Sequence, residues 1–323
     1  MTVARVLVTG RIPQPGIDLL EQAGHEAIVW AGPGPMPRGE LLHSVAGASA
    51  VISLISERID AELLTAAGPS LRVVSNVAVG YNNIDVPACS AAGVVVTNTP
   101  GVLTDATADI AMALILMVTR RLAEGERLVR SGRPWGWSMF TMLGTDIRGR
   151  QLGVVGMGQI GTALARRARA FGMSVVYSNR AEADPAVVSE LGARRVAMDE
   201  LFATSDVVSL HCPYTPETRH LVSAARLRTM KQTAYLVNTS RGPVVDEEAL
   251  VDALASGVIS GAGLDVFEHE PEVHPGLLER DDVVLLPHLG SATVETRTGM
   301  AVLAARNTVA VLAGQPPLTA VRA

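Results

Sequence analysis

Gly156-Met157-Gly158-Gln159-Ile160-Gly161 follows an apolar run, Gln151–Val155, and opens an Ala-rich segment, Ile160–Phe171. The first glycine of such a loop allows a tight turn, the second lets backbone N–H groups approach a pyrophosphate, and the third permits close helix–strand packing. A helix N-terminus adds unpaired N–H donors and a partial positive charge that favours phosphates. In this strand–turn–helix setting, the glycine loop predicts a dinucleotide-binding Rossmann domain.

Strand-like and helix-like segments alternate on both sides of the glycine loop. Five strand-like runs precede it, near residues 4–8, 27–30, 50–54, 71–76 and 94–98, and further runs follow it, near 174–177, 207–211, 234–237, 261–266 and 283–287. Alternation of this kind implies right-handed crossovers and parallel pairing. The sequence therefore predicts an α/β protein with two doubly wound parallel sheets.

Asp105–Arg130 is apolar over most of its surface, which predicts one long buried helix at the crossing between two domains. An irregular Gly/Pro/Trp loop follows, Ser131–Gly144, and carries Trp135 and Trp137. Aromatic side chains on such a loop either form a subunit contact or pack on their own domain. Both interpretations remain open from the sequence.

Composition excludes several classes of function. A net charge of −5 and a pI near 5.8 argue against a nucleic-acid groove. Two distant cysteines, Cys89 and Cys212, without a CxxC argue against a disulfide framework or a metal site and favour a reducing compartment. No signal-peptide pattern is present, and the longest apolar run, Ala111–Val118, is too short to span a bilayer. We expect a cytoplasmic globular protein.

The end of the strand after the glycine loop bears on the choice of dinucleotide. An NAD site would place an acid there to accept from the ribose 2′-OH, but this chain has Tyr177-Ser178-Asn179-Arg180. Asn179 removes a carboxylate that would repel a 2′-phosphate, and Arg180 can pair with that phosphate. NADP(H) is therefore favoured, with NAD(H) possible. The alternative is that Arg180 points to solvent and that both cofactors bind.

Three later segments end apolar runs with polar groups. Val237–Gly242 carries Arg241, Leu264–Pro271 carries several acids, and Pro287–Thr293 carries His288. An arginine can bind a carboxylate bidentately and polarise an adjacent ketone, and a histidine with an acidic partner can transfer protons. Each could instead be structural, as a loop cap or a buried histidine. Their presence in one half of the chain favours a catalytic set.

Taken together with Val77–Asp85, Thr97–Asp109 and Pro213–Thr218, these segments resemble the D-2-hydroxyacid dehydrogenase family over essentially the whole chain, and most of all its glyoxylate/hydroxypyruvate reductases. The resemblance implies hydride transfer between NADP(H) and a small 2-oxoacid or D-2-hydroxyacid. It also implies a Rossmann domain at 104–287, a discontinuous flavodoxin-like substrate domain at 1–103 and 288–323, and a homodimer.

The resemblance further implies the roles of individual residues. Arg241 would hold the substrate carboxylate and carbonyl, His288 would be the general acid/base, and Glu270 would be the partner of the histidine. Glu268 is then expected to face solvent, and Asp265 the nicotinamide end of the cofactor. The predicted substrate residues are Leu54, Val79, Gly80, Arg241 and His288. The predicted cofactor contacts are Thr104, Gly156, Gly158, Gln159, Ile160, Gly161, Asn179, Arg180, Pro213, Thr218, Thr239, Ser240, Arg241, Asp265, His288 and Gly290.

Two other readings of the same fold remain. One is an enzyme for a different substrate, such as phosphite, 3-phosphoglycerate or a longer 2-oxoacid. The other is a non-catalytic NAD(H)-sensing binding protein, which can retain the same three polar residues.

Overall fold

The structure is a computed structural model that describes residues 3–322. These residues form two compact units. One unit, here the discontinuous unit, runs to Leu103 and resumes at Ala292, and the other, the continuous unit, spans Thr104–Ser291.

Short strands and helices alternate along the described chain. The strands are β1 (Arg5–Val8), β2 (Glu26–Val29), β3 (Ala50–Ser53), β4 (Val73–Asn76), β5 (Val95–Thr97), β6 (Gln151–Val155), β7 (Ser174–Ser178), β8 (Arg194–Arg195), β9 (Val207–Leu210), β10 (Tyr235–Asn238), β11 (Gly261–Leu264) and β12 (Val283–Leu285). The α-helices are α1 (Gln14–Gln22), α2 (Arg38–Ser44), α3 (Ala61–Ala67), α4 (Val86–Ala91), α5 (Thr104–Thr119), α6 (Leu122–Arg130), α7 (Gln159–Ala170), α8 (Pro185–Leu191), α9 (Met198–Thr204), α10 (Ala224–Leu227), α11 (Glu247–Ala255), α12 (Pro275–Leu278) and α13 (Val294–Leu312).

Side chains at the helix starts explain where several helices begin. Asp60, Asp85 and Asp246 each accept a hydrogen bond from a backbone N–H of the first turn of α3, α4 and α11. Thr293 does the same for α13. Such caps satisfy donors that a helix N-terminus leaves without partners, and each stabilises its helix by about 1 kcal/mol.

The discontinuous unit is built on a five-stranded sheet in the order β2-β1-β3-β4-β5, and the pairs are parallel. This is the flavodoxin-like order. Successive residues of each strand point to opposite faces, so Val6 and Val8 pack with α1 and α13 while Leu7 packs with α2 and α3. Both faces of the sheet are therefore buried, as parallel strands require.

The continuous unit contains a seven-stranded parallel sheet in the order β12-β11-β10-β9-β6-β7-β8. Counted from β6, this is the Rossmann order with one additional strand, β12. One face is covered by α5, α7 and α8 and the other by α9, α10 and α11. The predicted fold class, two doubly wound parallel sheets of the Rossmann and flavodoxin-like kinds, is confirmed.

The expectation of one long helix over 105–130 is wrong. The chain forms α5 and α6, and the break between them falls at Arg121, whose φ of 55° is left-handed. A residue in this conformation cannot continue a right-handed helix. Arg121 also pairs with Glu124 in the first turn of α6, which helps to start the second helix.

Two further differences from the sequence-based picture bear on the site. The short strand β8 was not predicted, because two arginines carry no apolar pattern. The expected return to the substrate domain at residue 288 also differs from the observed division after Ser291. The reason is that the N–H of His288 donates to the carbonyl of Asp265 at 2.9 Å, which holds this segment in the continuous unit.

Within residues 3–322, no helix combines the length and apolar character needed to cross a membrane.

Candidate active site

The glycine loop connects β6 to α7 in the continuous unit. Gly156 has a φ of 96°, and a Cβ there would lie 2.7 Å from the backbone nitrogen of Cys212. A Cβ at Gly161 would overlap the carbonyl oxygen of Gly156. Larger residues at either position would therefore displace the loop.

The same loop leaves room for an anionic group. Gly158 is the N-cap residue of α7, a Cβ there would meet nothing within 4 Å, and no side chain of the described residues caps the helix. The first-turn N–H groups of α7 are thus available to a phosphate. These features fit the pyrophosphate of a dinucleotide.

The turn after β7 is tied to this loop. The side-chain oxygen of Asn179 accepts a hydrogen bond from the N–H of Met157 at 2.6 Å, and Arg180 is exposed. The two acids that follow are engaged elsewhere: the exposed Glu182 lies 3.6 Å from Arg195, and Asp184 accepts from the N–H of Ala186 and caps α8. No carboxylate is therefore placed at the end of β7 by residues 178–180, where an NAD site would have one.

Arg241 is held by a tight turn at the end of β10. The buried Asn238 accepts from the N–H and hydroxyl of Ser240 and donates from its amide to the carbonyl of Arg241 at 2.9 Å. The guanidinium of Arg241 donates to the carbonyl of Ser240 at 2.7 Å. Burial lowers the pKa of Arg241, the charge of Glu270 opposes that shift, and an arginine remains a cation in either case.

Thr239 lies in the same turn and provides a second test of the fit to a cofactor. The residue is 8% exposed, and its hydroxyl has no hydrogen-bond partner among the described residues. A buried hydroxyl without a partner is costly, which favours a ligand group as its partner.

His288 and Glu270 form a close pair. The Nδ1 atom of His288 lies 2.8 Å from one carboxylate oxygen of Glu270, whose other oxygen accepts from the N–H of Phe267 at 3.0 Å. Burial alone would raise the pKa of Glu270, but the hydrogen bond and charge of His288, with smaller contributions from Phe267 and Arg241, lower it below its ordinary value. Glu270 is thus an anion, fixed by its own loop, that orients the imidazole.

Asp265 shapes the segment that presents His288. The residue is 1% exposed, and its carboxylate accepts from the N–H groups of Leu289 at 2.6 Å and Gly290 at 2.8 Å. His288 itself has a left-handed φ of 55°. Burial raises the pKa of Asp265, and the two backbone hydrogen bonds act against that rise. The carboxylate therefore holds the histidine segment, and its place facing the nicotinamide stays a prediction.

The expectation that Glu268 faces solvent is wrong. Its side chain is 12% exposed and pairs with Nε2 of His220 at 2.6 Å. Its N–H donates to the buried Glu247 at 2.6 Å, and burial, followed by the charge of Glu268, raises the pKa of Glu247. Gly242 lies so close that a Cβ there would overlap the carbonyl of Phe267. Glu268 thus ties the loop that carries Glu270 to His220 and to the start of α11.

The remaining predicted cofactor residues also lie in the continuous unit. The hydroxyl of Thr104 lies 3.4 Å from the side-chain oxygen of Gln159, and the hydroxyl of Thr218 donates to the carbonyl of Pro213 at 2.8 Å. The carbonyl of Gly290 accepts from the buried Thr107 at 3.0 Å. Ile160 occupies the first turn of α7.

The predicted substrate residues Leu54, Val79 and Gly80 lie in the discontinuous unit, on loops after β3 and β4. Asn98 donates to the carbonyl of Val79 and Asn76 to that of Gly80, both at 2.8 Å. Within the described chain, the N–H groups of Val79 and Gly80 have no acceptor. Two adjacent donors of this kind suit a carboxylate.

Several residues with clear roles were missed by the sequence analysis. They are Asn238, His220, Glu247 and Thr107. An asparagine at a strand end before Thr-Ser is a usable signal, because asparagine side chains form turns with the backbone that follows. The contacts of His220 with Glu268 and of Thr107 with Gly290 join distant segments and have no local signal.

Comparison with known proteins places these features in a family context. A sequence model described as "D-isomer specific 2-hydroxyacid dehydrogenase, NAD binding domain" matches residues 112–290. The chain is 49% identical to a glyoxylate reductase of Thermococcus onnurineus over 321 residues, which cover 98% of this chain and 95% of that protein.

Solved structures are similar over nearly the full length. A protein of Thermus thermophilus is 44% identical with a TM-score of 0.92, covering 98% of this chain and 100% of that one. An NADPH-dependent glyoxylate/hydroxypyruvate reductase of Sinorhizobium meliloti, in complex with NADP and malonate, is 35% identical with a TM-score of 0.84, covering 99% and 97%.

The histidine at the end of β9 leads to a prediction about stability and pH. Burial lowers the pKa of His211 to about 4 from an ordinary 6.5, and its Nε2 lies 2.8 Å from the hydroxyl of Ser209. As the pH falls, the imidazole of His211 therefore takes up a proton near pH 6.5 in the unfolded chain but only near pH 4 in the folded protein. The free energy of unfolding should therefore fall as the pH drops from about 6.5 to about 4.

Thermal unfolding at several pH values should show a smaller fall for His211→Gln than for the wild type. The exposed His43→Gln is the control and should keep the wild-type slope; equal slopes in all three proteins would contradict the prediction.

Proposed function

Because this chain belongs to the D-2-hydroxyacid dehydrogenase family, and so is an NAD(P)-dependent dehydrogenase of 2-oxoacids, we propose that it reduces glyoxylate or hydroxypyruvate with NADPH as the preferred cofactor. The observation that carries the proposal is the His288–Glu270 pair at 2.8 Å with the charge of Arg241 nearby. The named activities of the relatives support the choice of substrate.

Residues of the continuous unit would hold the cofactor. The free N–H groups at the start of α7 would bind the pyrophosphate, and the unpartnered hydroxyl of Thr239 would meet a cofactor group. Bound there, the nicotinamide supplies the hydride, while the protein positions it and excludes water. Arg180 would pair with a 2′-phosphate, since no carboxylate stands at residues 178–180 to repel it.

Arg241 is the proposed anchor for the 2-oxoacid. Its backbone is fixed by Asn238 and its guanidinium remains charged, so it is preorganised before substrate arrives. A guanidinium binds a carboxylate through two N–H groups and stabilises negative charge on the neighbouring carbonyl oxygen as that charge develops. The backbone N–H groups of Val79 and Gly80 stay predicted donors to the carboxylate of the substrate.

His288 is the proposed proton donor in reduction. Its Nδ1 faces Glu270, which leaves Nε2 as the atom that would transfer the proton to the developing alkoxide. The anionic Glu270 favours the protonated imidazolium that reduction requires. Asp265 holds the backbone of Leu289 and Gly290, which follow His288, and so fixes the direction of the imidazole ring.

A substrate panel tests this proposal directly. We expect NADPH oxidation with glyoxylate and hydroxypyruvate to exceed that with pyruvate and phenylpyruvate, and the kcat/KM for NADPH to exceed that for NADH. Steady-state rates of NAD(P)H oxidation, followed by its absorbance, measure both comparisons. Phosphite oxidation with NADP⁺ would favour the phosphite alternative. Cofactor binding without turnover of any panel member would favour the non-catalytic binding protein.

Two acids in one loop allow a matched test of the proton donor. Without the carboxylate of Glu270, the imidazolium loses its paired anion, so the alkaline limb of the pH–rate profile for reduction should move to lower pH in Glu270→Gln. Glu268→Gln removes a carboxylate of equal size that is paired with His220 instead, and it should keep the wild-type profile. The profile of kcat against pH is the measurement. An unmoved limb in Glu270→Gln would remove Glu270 from this role.

A homodimer is also part of the proposal. The segment after α6 exposes Trp135 at 62%, Trp137 at 80% and Phe140 at 84%. Neighbouring exposed aromatics of this size mark an interaction surface. Of the two open interpretations of this loop, we therefore favour contact with a second copy. A cytoplasmic location, expected from the two unpaired cysteines, is kept as part of the same proposal.

Sedimentation velocity tests the dimer. We expect a dimer for the wild type and a shift toward monomer for the double variant Trp137→Ser/Phe140→Ser, because apolar area would be lost from the contact. Phe171→Ser, which removes an exposed aromatic elsewhere in the continuous unit, should leave the dimer intact. A wild-type chain that sediments as a monomer at micromolar concentration would refute this part of the proposal.

A further inference from the structure

Arg195 lies beside the turn that ends β7. It is paired in register with Tyr177 across β7 and β8, and its Nη2 donates to the carbonyl of Asn179 at 3.0 Å and to that of Arg180 at 3.1 Å. One guanidinium nitrogen therefore binds the backbone on both sides of the proposed phosphate-binding arginine.

This contact continues to the glycine loop. The same Asn179 whose carbonyl binds Arg195 accepts from the N–H of Met157 through its side chain at 2.6 Å. The two-residue strand β8, the turn 179–180 and the glycine loop are thus joined by hydrogen bonds in series.

Two cations, Arg180 and Arg195, lie at the turn together with two exposed acids, Glu182 and Glu217. Arg195 is 40% exposed, and its ion pair with Glu182, at 3.6 Å between exposed side chains, is weak. The charge of Arg180 helps to lower the pKa of the exposed Glu217, so a 2′-phosphate would compete with that carboxylate for the guanidinium. By donating to two carbonyl oxygens, Arg195 also neutralises partial negative charges that would otherwise repel a phosphate near Arg180.

We propose that Arg195 is a positioning residue that sets the selectivity for a 2′-phosphorylated adenosine. It holds the turn 179–180 so that Arg180 meets the phosphate without repulsion from the turn's own carbonyl groups. The proposal rests on the preference for NADPH proposed above and assigns part of that preference to a residue outside the glycine loop and the strand end.

Binding of two fragments tests this role without any turnover. Adenosine 2′,5′-bisphosphate carries the 2′-phosphate, adenosine 5′-monophosphate lacks it, and calorimetry gives the ratio of their affinities. We expect the ratio to exceed one in the wild type and to fall about fivefold in Arg195→Ala, with a larger fall in Arg180→Ala. The affinity for the monophosphate should stay unchanged in both, which shows that the folded site is retained.

Arg194→Ala is the matched control. Arg194 is the neighbouring residue of β8, has the same charge and pairs with Glu200 at 2.8 Å, away from the turn. We expect it to keep the wild-type ratio, and Arg195→Lys, which retains the charge and a donor, to keep most of it. If Arg195→Ala also loses the monophosphate, Arg195→Met, which keeps a long side chain without any donor, gives the same comparison with the same expected fall in the ratio.

The outcomes separate the two proposals. A wild-type ratio of one would overturn the preference for NADPH and this inference with it. A wild-type ratio above one that falls in Arg180→Ala but not in Arg195→Ala would leave the preference standing and overturn the role of Arg195. An equal fall in Arg194→Ala would assign the effect to net charge and would also overturn the positioning role.

Discussion

Parallel pairing in the seven-stranded sheet is the constraint on which the site depends. Val155, Leu210, Asn238, Leu264 and Leu285 stand side by side in register, one on each of five neighbouring strands. The residues that follow them therefore leave the sheet along one edge. The register of the hydrogen bonds therefore places four segments at this one edge: the glycine loop, His211, the turn before Arg241, and Asp265.

A second layer of polar contacts converts this edge into a site with fixed geometry. The left-handed backbone of His288 costs about 1–2 kcal/mol. The buried carboxylate of Asp265 offsets that cost, because it accepts hydrogen bonds from the N–H groups of Leu289 and Gly290. Asn238 holds the backbone of Arg241, which is extended, through a hydrogen bond to its carbonyl. The side chains proposed for chemistry are thus held before any ligand binds, and the polar groups that hold them are largely buried.

The sequence predicts the fold well and the supporting contacts poorly. Strand periodicity and the glycine loop are local signals, and they were sufficient for the fold class. The helix break at Arg121 depends on a single left-handed residue, and β8 is two arginines without an apolar pattern, so both were missed. Glu268 was assigned to solvent because its partner, His220, is distant in the chain. Arg241 and His288 stood out as polar groups after apolar runs, but the choice of Glu270 among the acids and the roles of all three came from the family resemblance.

The division of the chain has a consequence for biosynthesis. Helix α13 belongs to the discontinuous unit, where Ala304 and Ala305 pack with Val6 and Ile52 and the hydroxyl of Thr308 meets that of Ser75 at 2.8 Å. A ribosome makes the five strands of that sheet first and α13 last, after the whole of Thr104–Ser291. At about 5–20 residues per second, one apolar face of the nascent sheet waits roughly ten to forty seconds for its covering helix. The continuous unit, by contrast, emerges without interruption and is complete before the earlier unit is closed.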